Sequence, residues 1–533
     1  MPEYQAPGVY VEETSFRSRP VEGVSTGTAA FLGETERGSL QPRLVTSHAD
    51  YRRLFGDLFA EDRYLPLAVQ AFFANGGERC YIARIVGRGA KTASFASDGY
   101  EVDAIGPGSW GNRLFVRLSR STGNRRVPAG RPPEPIGFRL QVAYWRDEPP
   151  DGPDDAFDEA NRGRRPRPDA DEDFDDLSLD PADRRYWRHH VTDESSELIR
   201  LHIADDKAAT LPGDNGFAGR LLGGADGARL RRGQFKGRRD ERGRIIKKRK
   251  NRRGLAALKR KQYRDVAIVH APGIGNGDDV DSAIQRALVR HCERNRFRFA
   301  VLDAAPGLTS VSDQRLDPRH AIDSSYGAFY YPWYDTRDPR TGAKILIPPG
   351  GAVCGIYAAT DRTRGVWKAP ANVVVNGALG LEVDVNTPMQ EVLNPRGVNC
   401  IRRFAGRGIR VWGSRTLATD PEWKYVPVRR LFMFLEASIY RSTEWVVFEP
   451  NGEPLWARVR ETIEAFLRNQ WRAGALQGEK EEDAFFVAVG RNVTMTQDDI
   501  LNGRLVVEIG MAPVRPAEFV VIRISQKTME SRT

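Results

Sequence analysis

The sequence predicts a multidomain α+β chain, with a mixed α/β core, a charged insertion that interrupts it, and β-strand arms at both ends. Three observations carry this. At 533 residues the chain is too long for one hydrophobic core and points to about three or four folding units. Strand and helix periods alternate up to about 118 and resume at 265–303, on either side of a stretch that shows neither. Both termini, Gly8-Val9-Tyr10-Val11-Glu12-Glu13 and Glu518-Phe519-Val520-Val521-Ile522-Arg523-Ile524-Ser525, are rich in β-branched and aromatic residues and have no partner nearby.

The first 26 residues form an open arm punctuated by Pro2, Pro7, Gly8, Pro20 and Gly23. Fully extended, such an arm reaches on the order of 80 Å. Two uses are open to it: strand addition to a neighbouring molecule, or completion of a sheet in its own subunit. A short apolar strand follows within 26–38. Ser47 then caps a helix striped by Tyr51, Leu54 and Phe55 and closed by Gly56. A second helix is expected over 64–74, stopped by Asn75-Gly76-Gly77, and then a strand over 80–86. Pro107-Gly108-Ser109-Trp110-Gly111-Asn112 reads as a glycine turn before a strand at 114–118.

After the stretch 121–262, residues 265–270, 280–293 and 297–303 read as strand, helix and strand with the lengths of a βαβ crossover, so the insertion is expected to interrupt one sheet. Helices are predicted at 428–443 and 455–472, and strands at 485–489 and 505–509. Helix 455–472 places Leu455, Trp456, Val459, Ile463, Phe466, Leu467 and Trp471 on one face and Arg458, Glu461, Ala465, Arg468 and Arg472 opposite.

The net charge of +10 is local. Between Arg231 and Arg264 stand 17 Lys or Arg against 2 acids, and from Asp147 to Asp183 stand 15 acids against 4 arginines. One reading makes both runs a poorly ordered, solvated insertion. The other makes the basic run a patch for nucleic acid or an acidic surface, although Lys247-Lys248-Arg249-Lys250 lacks interleaved aromatics for base stacking. No apolar run approaches the ~18–20 residues needed to cross a bilayer, and Met1-Pro2-Glu3-Tyr4 does not open a signal peptide. The expectation is a protein neither embedded in a membrane nor exported by a leader. Cys80, Cys292, Cys354 and Cys400 are widely spaced, as buried thiols in a reducing compartment would be.

Searches for chemistry end without a constellation. Pro272-Gly273-Ile274-Gly275-Asn276-Gly277 follows a strand, but Asp278-Asp279 would repel a pyrophosphate at the next helix. His291-Cys292-Glu293 lacks the second half of a zinc deaminase signature, and His189-His190 lacks a third ligand. Residues 171–176 lack the periodicity of a calcium loop, and Gly413-Ser414 lacks the second glycine of a nucleophile elbow. No catalytic residue, metal or cofactor is expected, and the chain is read as a non-enzyme.

The ordered set Pro7-Gly8-Val9-Tyr10, Ala30-Phe31-Leu32-Gly33, Thr46-Ser47 to Phe55-Gly56, Asn75-Gly76-Gly77 to Cys80-Tyr81 and Pro107 to Asn112 resembles the contractile tail sheath family of phage tails and phage-like injection machines. Pro332-Trp333-Tyr334, Ile347-Pro348-Pro349-Gly350-Gly351-Ala352-Val353-Cys354-Gly355, Gly365 to Asn372 and Val411-Trp412-Gly413-Ser414-Arg415-Thr416 resemble that family's C-terminal region. The resemblance covers roughly both outer thirds.

It implies an arm at 1–26, a sheath α/β domain at 27–120 and 263–329, a variable charged outer insertion at 121–262, and a C-terminal sheath core at 330–533 that ends in a second arm. It further implies a structural subunit that polymerises as a helical cylinder around an inner tube and contracts from a metastable extended state. Neighbours would be joined through arm residues Val9, Tyr10, Val11, Phe519, Val521, Ile522 and Ile524, with hinges near 15–23 and at either 502–503 or 512–516. Arg458, Arg468 and Arg472 are the implied contacts to the tube. Implied partners are further copies of the chain, the inner tube, and baseplate and terminal cap proteins, without membrane insertion. Implied assembly is in the cytoplasm of the producing cell, as part of a tail or a tail-like particle that can be released. The alternative is a nucleic-acid-binding or capsid-associated structural protein that uses 231–264.

Overall fold

A computed structural model describes residues 20–521 except 126–133, 136, 148, 150–151, 153–155, 159–162, 164, 207–208 and 214–215. The chain divides into a larger unit, Ser25–Arg429, and a smaller one made of the residues up to Val24 and those from Arg430 on.

The larger unit is built on a nine-stranded sheet. Six strands run parallel at its centre, in the order Val398–Phe404, Gly327–Tyr331, Phe299–Asp303, Ile268–His270, Ala29–Gly33, Cys80–Arg84. Every residue of Ala29–Gly33, Phe299–Asp303 and Gly327–Tyr331 is buried, which is why these segments read as apolar runs without alternation. Antiparallel strands close the edges: Arg43–Val45 on one side, Gly408–Trp412 and then Val373–Val374 on the other.

The predicted βαβ unit is present, with helix Asp279–Asn295 between strands Ile268–His270 and Phe299–Asp303. Asp278 caps that helix by accepting from the amide of Asp281, and both carboxylates bind Arg229 (2.8 and 3.3 Å). The glycine loop is thus a turn: Gly273 has φ +74°, and a Cβ on Gly275 would lie 2.6 Å from the Ala305 Cα.

Several motif residues set close approaches. Helices Leu65–Ala74 and Gly350–Arg364 cross where a Cβ on Gly351 would sit 2.6 Å from the Ala68 Cα, and one on Gly355 2.4 Å from the Phe72 carbonyl. Asn75 donates to the Asn376 carbonyl (3.2 Å) and accepts from the Asn376 amide (2.9 Å), tying the helix end to a distant loop. Asn399 does the same for Gly413-Ser414-Arg415: it accepts from the Arg415 amide (2.7 Å) and donates to the Arg415 carbonyl (2.8 Å).

The insertion differs from its expected bounds at both ends. Strands Ala29–Gly33 and Ile268–His270 are neighbours, so it does interrupt one sheet. It nevertheless begins before 121. A three-stranded sheet (Ile199–Ile203, Tyr100–Ala104, Ser94–Ser97) and a four-stranded one (Ala170–Leu177, Phe138–Tyr144, Leu114–Arg120, Phe217–Arg220) share a core that includes Val102, Trp110, Leu118, Leu140, Trp187 and Leu201. Strand Leu114–Arg120, assigned from sequence to the main domain, is central here because its partners lie in the stretch that shows no readable period. At the other end, Leu230, Phe235, Leu255, Leu258 and Tyr263 join the core of the main sheet, so the basic run is anchored there and is not a solvated loop.

The acidic run is also partly ordered. Ala170–Leu177 is a strand in which Arg139 pairs with Asp173, while Glu172 accepts from Ser196 Oγ and from the amides of Glu197 and Leu198. The boundary expected at 330 falls inside strand Gly327–Tyr331, whose ladders on both sides keep it in the main sheet.

The inserted lobe leaves through a narrow neck. The Ala228 amide donates to the Arg88 carbonyl (3.0 Å), and Lys91 and Ala225 exchange amide and carbonyl (2.9 and 3.1 Å). A Cβ on Gly87 would lie 1.9 Å from the Ala228 carbonyl, so only backbone fits there. Beside it, Glu36 accepts from Tyr144 Oη, from Arg146 Nε (2.9 Å) and Nη2 (2.5 Å), and from the Asp57 amide (2.9 Å). Arg84 spans the junction by donating to the carbonyls of Gly38 and Pro107.

The smaller unit holds the predicted amphipathic helix, observed as Glu453–Arg472, with Leu455, Trp456, Val459, Ile463, Phe466 and Leu467 buried. The helix expected at 428–443 spans Val426–Ser442. Strands Phe485–Ala488 and Glu508–Met511 pair antiparallel as a two-stranded sheet.

Candidate functional site

The smaller unit carries both chain ends and the features that suit it to assembly. The root of the N-terminal arm is fixed: the amides of Glu22 and Val24 donate to Ser442 Oγ (3.3 Å) and Ser438 Oγ (3.1 Å). A Cβ on Gly23 would lie 3.2 Å from the Phe434 ring. The arm therefore starts from a defined point on helix Val426–Ser442. Arm residues Val9, Tyr10 and Val11, and Ile522 and Ile524 at the other end, lie outside the described residues. Phe519 and Val521 belong to no strand and are 71% and 77% exposed.

The sheet Phe485–Ala488/Glu508–Met511 has two strands only, and among the described residues no third strand pairs with it. The ladder continues where the Gln477 amide donates to the Ala512 carbonyl (2.9 Å) and the Val514 amide to the Ala475 carbonyl (3.2 Å), but a two-stranded sheet leaves open ladder edges, which need covering for stability. Its first strand alternates, with Phe485 and Val487 inside and Phe486 largely exposed. Phe448 is fully exposed and holds φ +71°, a left-handed conformation unfavourable for an aromatic residue. Val447, Val493 and Leu501 are also exposed. Sequence reading missed Phe448; the signal available was the apolar run Val446-Val447-Phe448 standing beyond a helix end.

The three arginines expected at the tube are not equivalent. Arg458 stacks on the Trp445 ring (4.6 Å to the centroid). Arg468 makes a bidentate pair with Glu481 (2.7 Å for both bonds), which holds that carboxyl below the usual range. Arg472 is exposed. The solvent face of the helix runs through Ala457, Glu461, Ala465, Asn469 and Arg472, rotated from the expected one because Arg458 and Arg468 fold back onto Trp445 and Glu481.

Among the described residues no group of His, Cys, Asp or Glu is arranged to hold a metal, and no helix is long and apolar enough to cross a membrane. All four cysteines are buried, and none forms a disulfide.

Comparison with known proteins gives these features a context. Residues 247–417 match the central domain of phage tail sheath proteins, and 418–527 match the phage tail sheath C-terminal domain. The tail sheath protein of Vibrio phage KVP40 is 26% identical over 172 residues, 32% of this chain and 25% of that protein. That of Burkholderia phage BcepMu is 28% identical over 163 residues, 28% of this chain and 33% of that protein. The chain spans between a quarter and about half the length of the curated relatives it matches. Among solved structures, the sheath of an extracellular contractile injection system, PVC, in its contracted state is 25% identical, with a TM-score of 0.60 and 99% of both chains covered. The contracted helical sheath of the anti-feeding prophage has the same fold at 24% identity, with a TM-score of 0.58 over 98% of this chain and 100% of that one.

The class these matches define is the structural protein of a tail or tail-like particle. Within it, the chain belongs to the phage tail sheath protein family.

Proposed function

We propose that this chain is the subunit of a contractile sheath that polymerises as a helical cylinder around an inner tube and shortens from a metastable extended state to drive the tube through a target envelope. The observation that carries the reading is the open-edged sheet Phe485–Ala488/Glu508–Met511 in the unit that holds both chain ends. Arms donated by neighbours supply the missing strands, through Val9, Tyr10 and Val11 at one end and Phe519, Val521, Ile522 and Ile524 at the other. Because each subunit gives to one neighbour and receives from another, the contact is heterologous and propagates as a helix. Ladder bonds persist while the bodies turn about 15–23 and about either 502–503 or 512–516, so contraction needs no nucleotide and no catalytic residue.

Arg472 is the principal tube contact on the helix, with Arg458 and Arg468 shaping its face. Baseplate and terminal cap proteins bound the cylinder, which assembles in the cytoplasm of the producing cell. Electron microscopy of the purified full chain tests this: hollow helical cylinders without added ligand are expected. Particles that stay monomeric at every concentration, or cylinders formed equally well without residues 1–22 and 517–533, would overturn it.

A further inference from the structure

The basic run that sequence alone could not place forms a groove against helix Asp279–Asn295. Arg286, Arg290 and Arg294 recur every four residues and so share one face of that helix. Opposite them stand Arg232 and Lys236, one turn apart on the short helix Arg232–Lys236, with Arg238 just beyond it and Lys259 following helix Gly254–Ala257. Seven cations thus line one cavity of about 120 Å³, kept open by the small side chains of Ala256, Ala283 and Ala287.

None of the seven is paired with an acid among the described residues, and the nearby acids are committed elsewhere. Glu241 is bound to Arg253, Asp240 to Arg244, Asp278 and Asp281 to Arg229, and Glu293 accepts from Ser324 Oγ. The floor adds no negative charge, because His291 accepts at Nε2 from Arg298 (2.9 Å) and is neutral. Burial, followed by the neighbouring arginines, pushes Lys236 and Lys259 below the usual lysine range. Such crowding opposes folding unless an anion offsets it.

We infer that this groove binds a compact multivalent oxyanion of the phosphate class. Arginine forks suit tetrahedral oxyanions, and several converge here. No Phe, Tyr or Trp lines the cavity, and the one ring there, His291, is buried beneath Arg298, so a nucleobase has no stacking platform, which argues against a nucleic acid strand. The acidic strand Ala170–Leu177 of a second copy is a poorer occupant, because Glu172, Asp173, Asp175 and Asp176 already have partners in their own lobe.

Titration of the full chain with tripolyphosphate at fixed ionic strength should show saturable binding at one site and a rise in Tm. Arg290→Gln/Arg294→Gln should weaken that binding at least tenfold and raise the ligand-free Tm by relieving repulsion. Lys247→Gln/Lys248→Gln, in the same run but outside the cavity, should bind as the wild type does. Independently of any variant, tripolyphosphate should protect Lys236 and Lys259, but not Lys247 and Lys248, from amine acylation read by mass spectrometry. Equal losses in both double variants, uniform protection of all four lysines, or binding of duplex DNA without saturable tripolyphosphate binding would each overturn the inference.

Discussion

His270 and Asp303 end adjacent parallel strands, and both side chains are completely buried. His270 Nδ1 donates to the Val301 carbonyl (2.9 Å), which leaves Nε2 as an acceptor 3.4 Å from Asp303 Oδ2. Burial pushes Asp303 up to about 8 and holds His270 down at about 4, so both are neutral near pH 7. Between about pH 4 and 8 the folded chain keeps a proton on Asp303 that the unfolded chain releases, so stability falls as pH rises. Between about 4 and 6.5 His270 acts oppositely, because only the unfolded chain protonates it. The two cancel below about 6.5, and above it stability should drop by up to about 1.4 kcal/mol per pH unit until about pH 8. Asp303→Asn does not titrate and should remove that drop, as Tm measured at pH 6, 7 and 8 would reveal. At the neck, Glu36→Gln leaves Arg146 without its carboxylate, and thermal unfolding should show a loss of about 3 kcal/mol, the low end for a broken buried pair because Arg146 still meets solvent.

Elements were legible where one period dominates. Helix Glu453–Arg472 and the βαβ unit fall within three residues of their expected bounds, since their apolar stripes and caps are local signals. The lobe was not legible, because strands such as Phe138–Tyr144 and Ala170–Leu177 gain order from partners far away in sequence, and an acid-rich strand carries no β signature. The glycines at the crossing of Leu65–Ala74 and Gly350–Arg364 could be quoted from the sequence as a motif, but their reason is visible only in space. Gly351→Ala should cost about 1–3 kcal/mol through overpacking against Ala68, measurable by denaturant titration. Phe448→Gly relieves a left-handed backbone and should stabilise the unassembled chain by about 1 kcal/mol, while raising the concentration needed for polymerisation, read by sedimentation.

For the molecule as a whole, assembly and folding separate. On the proposed reading, removing residues 1–22 and 517–533 should leave Tm unchanged by circular dichroism while sedimentation shows no polymer. Of the candidate contacts, the arginine helix could be placed from sequence, but which arginine stays available could not, because Glu481 and Trp445 claim two of them from outside the helix. Arg472→Glu should reduce co-purification of the inner tube and leave sheath length intact; full retention of tube would remove Arg472 from that contact.

Backbone bonds at Arg88 with Ala228 and Lys91 with Ala225 join the lobe to the sheet, beside the contacts of Glu36 with Tyr144 and Arg146 and of Arg84 with Pro107, and the chain leaves and returns at strands Cys80–Arg84 and Ile268–His270, which both pair with Ala29–Gly33. Evolution and engineering thus meet a ready splice point. A foreign module whose ends lie as close together could be spliced in there, provided that it also supplies a partner for the buried Glu36 carboxylate.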